Sequence, residues 1–181
     1  YRETRRLGSR LMERYGVRMN AQSPDPALAD LLASRPSLQT DVRDGLMFEG
    51  VPLHVVAAAV GTPCWITGAG TLRRRADSLR AAFEARNLPV SFHFAVKSQD
   101  HQATLTVLHQ CGYGADIVSG GEMKRALAAG IPAANIVFSG VGKTDAELRM
   151  AVEQDIAQVN VESVEELYRL DQIAGSMGRV A

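Results

Sequence analysis

Ala115-Asp116-Ile117-Val118-Ser119-Gly120-Gly121-Glu122-Met123-Lys124-Arg125-Ala126-Leu127 is the stretch on which the fold turns. Residues 115–118 form an apolar run of strand length, interrupted by a single acid. Ser119 and Glu122 then take the S/T-x-x-E spacing of a capping box. In that motif the hydroxyl accepts from the N3 amide while the carboxylate reaches back to the N-cap amide. Met123, Ala126 and Leu127 continue at helical spacing. The unit recurs downstream: residues 135–138 lead to Thr144 and Glu147, and residues 157–161 to Ser163 and Glu166. Leu148, Ala151 and Val152 follow the second box, Leu167 and Leu170 the third. Gly112, Gly130 and Gly175 stand where helices should stop. Strand and helix alternating every ~20–25 residues mean βα units on a parallel sheet.

Upstream, Phe92-His93-Phe94-Ala95-Val96 is aromatic and β-branched, hence a strand. Thr71 can cap a helix with Leu72, Ala76, Leu79 and Phe83 on its apolar side, which leaves Arg73-Arg74-Arg75 mostly in water. Cys64-Trp65-Ile66 reads as a short extended segment. A closed (β/α)8 barrel takes ~250 residues; from Phe92 the chain supplies four βα units. The expectation is therefore α/β, a partial (β/α)8 TIM barrel. No G-x-G-x-x-G follows a strand, and Gly140-Val141-Gly142-Lys143-Thr144 lacks the upstream glycine of a phosphate loop.

Residues 1–48 read as a helical extension and linker, and residues 49–181 as the half-barrel. The first 20 residues carry six arginines against two glutamates, with Leu7, Leu11 and Tyr15 at helical spacing. Interspersed acids favour a solvated helix face over a membrane or RNA arm. Ser23-Pro24-Asp25-Pro26 is turn chemistry, followed by a short helix over Ala27–Ser34 and a polar link. Residue 1 is Tyr and residues 178–181 read like the opening of a strand, so the chain is expected to be the amino-terminal portion of a longer polypeptide.

The 181 residues are 46% hydrophobic, with 20 Lys+Arg against 20 Asp+Glu, an ordinary globular composition. Zero net charge argues against a general grip on nucleic acid or an anionic membrane. No apolar run approaches the ~20 residues of a membrane span. Cys64 and Cys111 make no disulfide scaffold, which fits a reducing, cytoplasmic setting, and both read as core packing. His54, His93, His101 and His109 show no metal-ligand spacing, so no metal is expected.

Lys97 is the position to weigh most carefully. It follows the last residue of its strand, on the face of His93 and Ala95. The carboxyl edge of such strands is where α/β folds build sites. There a lysine either snorkels to solvent or acts as an amine nucleophile toward a carbonyl.

Four segments then occur in order: Phe94-Ala95-Val96-Lys97-Ser98, Gly114 to Glu122, Val137 to Thr144, and Asn160-Val161-Glu162-Ser163. Together with Gly50-Val51-Pro52-Leu53 and Gly61-Thr62-Pro63, they resemble the fold-type III pyridoxal-phosphate-dependent decarboxylases over roughly residues 45 to 181. The resemblance implies a barrel of the alanine racemase-like type, pyridoxal 5'-phosphate as cofactor, and decarboxylation of an amino acid. In the members matched best that amino acid is meso-diaminopimelate, giving L-lysine. It implies that Lys97 is the catalytic lysine bonded to the cofactor, and that Asp116 and Glu122 lie beside the cofactor. It also implies a homodimer with a shared site. Ser139 to Lys143 correspond to a loop at the barrel mouth. Ser98-Gln99 depart from the family's usual Ala-Asn, and another diamino acid as substrate stays open on that ground. A non-catalytic cofactor-binding half-barrel stays open on the ground of length. The family's phosphate loop, stacking histidine, substrate arginine and partner-subunit cysteine have no counterpart in these residues.

Overall fold

The computed structural model describes residues 26–180. The arginine-rich helix expected over the first 20 residues lies outside the described residues. The chain divides into two compact units after Cys64.

In the first unit, α1 (Pro26–Ser34) precedes a three-stranded antiparallel sheet of β1 (Leu38–Asp41), β2 (Gly45–Phe48) and β3 (Val51–Pro52), and α2 (Leu53–Val60) follows. Turn chemistry accounts for the sheet. The Asp41 carboxylate accepts from the amides of Arg43 (2.7 Å) and Asp44 (3.1 Å). Glu49 and Gly50 both take positive φ, 49° and 81°, as a two-residue hairpin of the I′ kind requires, and Phe48 pairs with Val51. The polar link expected here is thus a sheet. Gln39, Thr40 and Asp41 are polar and exposed, so no apolar alternation marked β1.

The second unit carries a parallel sheet ordered β4 (His93–Ala95), β5 (Gly114–Ile117), β6 (Ile136–Phe138) and β7 (Gln158–Val159). Helices α3 (Ala69–Glu84), α4 (Gln102–Gln110), α5 (Gly120–Ala128), α6 (Asp145–Gln154) and α7 (Val164–Ser176) alternate with the strands, as parallel pairing demands. The register sets Ala95 beside Asp116, Asp116 beside Val137, and Val137 beside Gln158. The ladder runs past the strand ends. Ser139 N–H donates to Ile117 O and Asn160 N–H to Phe138 O, both at 2.8 Å.

The two faces of this sheet differ sharply. Ala115, Ile117, Ile136 and Phe138 are fully buried with Val96, Leu105, Met123 and Ala126 in one core. Each of the larger side chains contributes about 1.5–3 kcal/mol by leaving water. The opposite face carries His93, Ala95, Asp116, Val137 and Gln158, all half-buried or exposed. A smaller core gathers Ala76, Leu108 and Tyr113, with Phe92 stacked on Tyr113 at 5.3 Å and set edge-on to Phe83 at 5.5 Å. Burial pushes the Tyr113 phenol above its usual value of 10.0.

Several local expectations change. Helix α3 starts at Ala69 behind Gly68, so Thr71 lies inside it. Gly175 lies inside α7, and the left-handed residue that follows the helix is Gly178 at φ +70°. There the Arg179 amide reaches back to Ala174 O, so the stop is set where the chain folds back. Cys64 is exposed and starts no strand, against its core-packing reading, whereas Cys111 packs on the Phe92 cluster.

All three capping hydroxyls are in place: Ser119, Thr144 and Ser163 accept from the amides of Glu122, Glu147 and Glu166. Only the Thr144 box closes reciprocally. Glu122 Oε2 accepts instead from the Val118 amide at 2.7 Å. Glu166 turns away to Lys143.

That lysine is buried, with its side chain 1% exposed against 6% for Glu166. Its Nζ donates to Glu166 Oε1 (2.7 Å), Asn160 O (2.7 Å) and Gly140 O (2.8 Å). The ammonium also lies 5.5 Å from the centre of the Phe138 ring. One charge thus ties the loop after β6, the end of β7 and the first turn of α7. Lys143→Met should cost about 3–5 kcal/mol, because Glu166 is left buried and unpaired. Pairing it with Glu166→Leu should restore most of the loss; urea midpoints of the two variants measure both.

Candidate functional site

The carboxyl ends of β4 to β7 collect the polar side chains. Lys97 sits in the single 3-10 turn (Val96–Ser98) that ends β4, held there by Gln99 N–H donating to Val96 O at 3.0 Å and by Ser98 Oγ donating to Ala95 O at 2.7 Å. Its amine is exposed, and among the described residues it makes no hydrogen bond or ion pair. Asp116 lies on the next strand, paired with Ala95, the last strand residue before the turn that holds Lys97. Its Oδ1 accepts from Ser139 Oγ at 2.5 Å, within the range of charge-assisted O–H···O⁻ bonds. Ser139 Oγ in turn accepts from Asn160 Nδ2 at 3.1 Å, and Gln158 Nε2 donates to Asn160 Oδ1.

Asp116 and Ser139 are therefore joined directly, but no bond joins Lys97 to Asp116 or Glu122 among the described residues. Glu122 stands in the first turn of α5, half-buried, with one carboxylate oxygen spent on Val118 N–H. Ser139, Asn160 and Gln158 are the members that sequence reasoning left without a role. The available signal was modest: polar side chains two residues apart at the end of an apolar run, Gln158 and Asn160, on the face that already holds Asp116.

The start of α5 is a glycine pair, and helix N-termini attract anions. Here the protein supplies its own. Glu147 Oε1, from α6, accepts from Gly120 N–H at 2.9 Å, while its Oε2 accepts from Thr144 N–H at 3.0 Å and Thr144 Oγ1 at 2.8 Å. The Gly120 and Thr144 amides, in that order, hold the Glu147 carboxyl below its ordinary 4.5. Gly120 leaves room for this and no more: a Cβ there would lie 3.2 Å from Glu147 Cγ.

A concavity of about 550 Å3 opens at the other end of the strands, beside Arg80, Phe92, His93, Asn135 and Gln158. Neither Lys97 nor Asp116 lines it. No group of three His, Cys, Asp or Glu among the described residues is arranged to hold a metal ion, and no described helix is long and apolar enough to cross a membrane.

Residues 69–180 match the family model described as pyridoxal-dependent decarboxylase, pyridoxal binding domain. The chain belongs to the pyridoxal-dependent decarboxylases. Among curated members of that family, the diaminopimelate decarboxylase of Zymomonas mobilis is 44% identical over 137 residues, covering 75% of this chain and 32% of the relative. That of Aquifex aeolicus is 42% identical over 142 residues, covering 78% and 33%. A crystal structure of an Aquifex aeolicus protein superposes with a TM-score of 0.75 at 39% identity, over 82% of this chain and 36% of the other. The Helicobacter pylori diaminopimelate decarboxylase complexed with L-lysine superposes at 0.63 and 34%, over 70% and 32%. The chain spans about a third of the length of these relatives. The four-stranded parallel sheet is accordingly part of an alanine racemase-like barrel, as expected.

Within this domain, Glu147 predicts a pH effect. A carboxyl whose folded pKa is depressed adds stability above its unfolded value, and loses it as pH falls through the folded one. Stability should therefore fall from about the ordinary 4.5 downward. Glu147→Gln should flatten that segment of the stability–pH curve, read as thermal midpoints between pH 6 and pH 3.

Proposed function

We propose that the chain is the cofactor-binding portion of a pyridoxal 5'-phosphate enzyme that decarboxylates meso-diaminopimelate to L-lysine, with Lys97 as the residue bonded to the cofactor. One observation carries the reading: an exposed amine at the carboxyl end of β4, without a hydrogen bond or ion pair among the described residues, beside the strand that carries Asp116. Relatives named diaminopimelate decarboxylase at 42–44% identity support the substrate.

The residues present suit that cofactor. A primary amine without a competing partner is free to bond to an aldehyde carbon. Asp116 brings a negative charge to the same edge, and Glu122 a second carboxylate one helix turn beyond β5. The cofactor's phosphate belongs elsewhere than the α5 start, whose Gly120 amide Glu147 already occupies. When bound, pyridoxal phosphate supplies a ring that accepts the electron pair left as carbon dioxide departs. Lys97 anchors it; Asp116 faces the positive charge that collects near that amine. Gln99, exposed just after the turn, stands where it can vary substrate choice. The proposal extends to a cytoplasmic homodimer whose site is shared between subunits.

The full-length protein mixed with pyridoxal phosphate should show a visible absorbance band that borohydride fixes to Lys97. Lys97→Ala should abolish the band and reduce decarboxylation of meso-diaminopimelate by at least a thousandfold. Persistence of the band in that variant would remove Lys97 from the role. Turnover of another diamino acid in preference to diaminopimelate would move the substrate assignment and leave the cofactor assignment standing.

A further inference from the structure

Resting on the cofactor reading above, we propose that Ser139 and Asn160 are positioning residues. They hold the Asp116 carboxylate in one orientation through a hydrogen-bond chain that runs in a single direction across three strands. Gln158 Nε2 donates to Asn160 Oδ1, Asn160 Nδ2 donates to Ser139 Oγ at 3.1 Å, and Ser139 Oγ donates to Asp116 Oδ1 at 2.5 Å. A serine hydroxyl has one proton to give. With an amide donating to its oxygen, that proton is turned toward Asp116. The chain ends on a group that only accepts, as an ionised carboxylate does.

The chain is held from behind. Ser139 and Asn160 are fixed to neighbouring strands by backbone bonds of 2.8 Å to Ile117 O and Phe138 O. Lys143 Nζ clamps the carbonyls of Asn160 and of Gly140, the residue after Ser139. Gly140 itself takes φ +87°, and a Cβ there would sit 3.2 Å from Val118, so the loop has little room to shift. Asp116 Oδ2 makes no hydrogen bond among the described residues. With Oδ1 committed, Oδ2 is the oxygen available to a cationic nitrogen at the end of β4, and Lys97 stands there. Preorganised charge is what an active site gains most from.

The test is a double-mutant cycle in the full-length protein, with pyridoxal phosphate as the probe and its dissociation constant read from the visible band. Ser139→Ala and Asn160→Ala should each weaken binding roughly tenfold, the loss expected when one hydrogen bond in a chain to a charged group is removed. Ser139→Thr, which keeps the hydroxyl, should restore it. In an Asp116→Asn background both alanine variants should have no further effect. Equal losses with and without the Asp116 carboxylate, or failure of the threonine rescue, would overturn the proposal. If the unaltered protein shows no band at all, the cofactor reading fails, and the chain is judged separately in the unliganded protein. There, NMR should show the Asn160 side-chain amide shifting on Asp116→Asn. An unchanged resonance overturns the chain itself.

Discussion

One buried ammonium governs the working edge of this domain. Taking Lys143 out of water costs several kcal/mol, and three acceptors at 2.7–2.8 Å offset it. None of the three comes from a regular hydrogen-bond ladder. Two are carbonyls at the ends of β6 and β7, and the third is a carboxylate that abandoned its own helix cap. Because the charge must keep all three, the loop after β6, the tip of β7 and the start of α7 form one body. Ser139 and Asn160 belong to that body, so the side chains beside Asp116 inherit its rigidity. Arg169 adds to it from α7, donating to Lys143 O at 2.8 Å and pairing with Asp145.

The three capping boxes show how one local motif is spent in three ways. At Thr144 the glutamate closes the box; at Ser119 it reaches one residue further back; at Ser163 it leaves for the buried lysine. Glu147 does double duty, since its second oxygen crosses to Gly120 and joins the N-termini of α5 and α6. A helix start rich in glycine looks ready for a phosphate, yet here its first amide is already bonded to a carboxylate.

Much of the architecture was legible because its causes are local. A serine or threonine three residues ahead of a glutamate signals a helix start through contacts within one turn, and all three starts were placed correctly. Strand periodicity put His93 and Ala95 on one face, and the register with Gly114 and Asp116 agrees, but the strand gives way to a 3-10 turn at Val96, so alternation does not reach Lys97. What escaped depends on distance along the chain. Lys143 meets partners 17 and 23 residues away, and Ser139 meets Asp116 across 23 residues. No spacing rule reports such pairs. The sheet of 38–52 escaped for another reason: its strands have only two to four residues, β1 is polar and exposed over Gln39–Asp41, and β2 is a short apolar run without alternation. The stop of α7 moved from Gly175 to Gly178 because either glycine could end a helix, and only the fold-back of Arg179 onto Ala174 selects between them.

The division of the parallel sheet into an oily side and a wet side has a bearing on how faithfully the domain is assembled. Slipping a strand by one residue turns every side chain to the other side. For β5 such a slip would thrust Asp116 into the packed interior and set Ala115 or Ile117 at the mouth. The penalty for burying that acid beside Phe138 and Met123 is far larger than any gain from the wrong pairing. The hydrocarbon layer thereby proofreads the polar layer on the other side of the sheet.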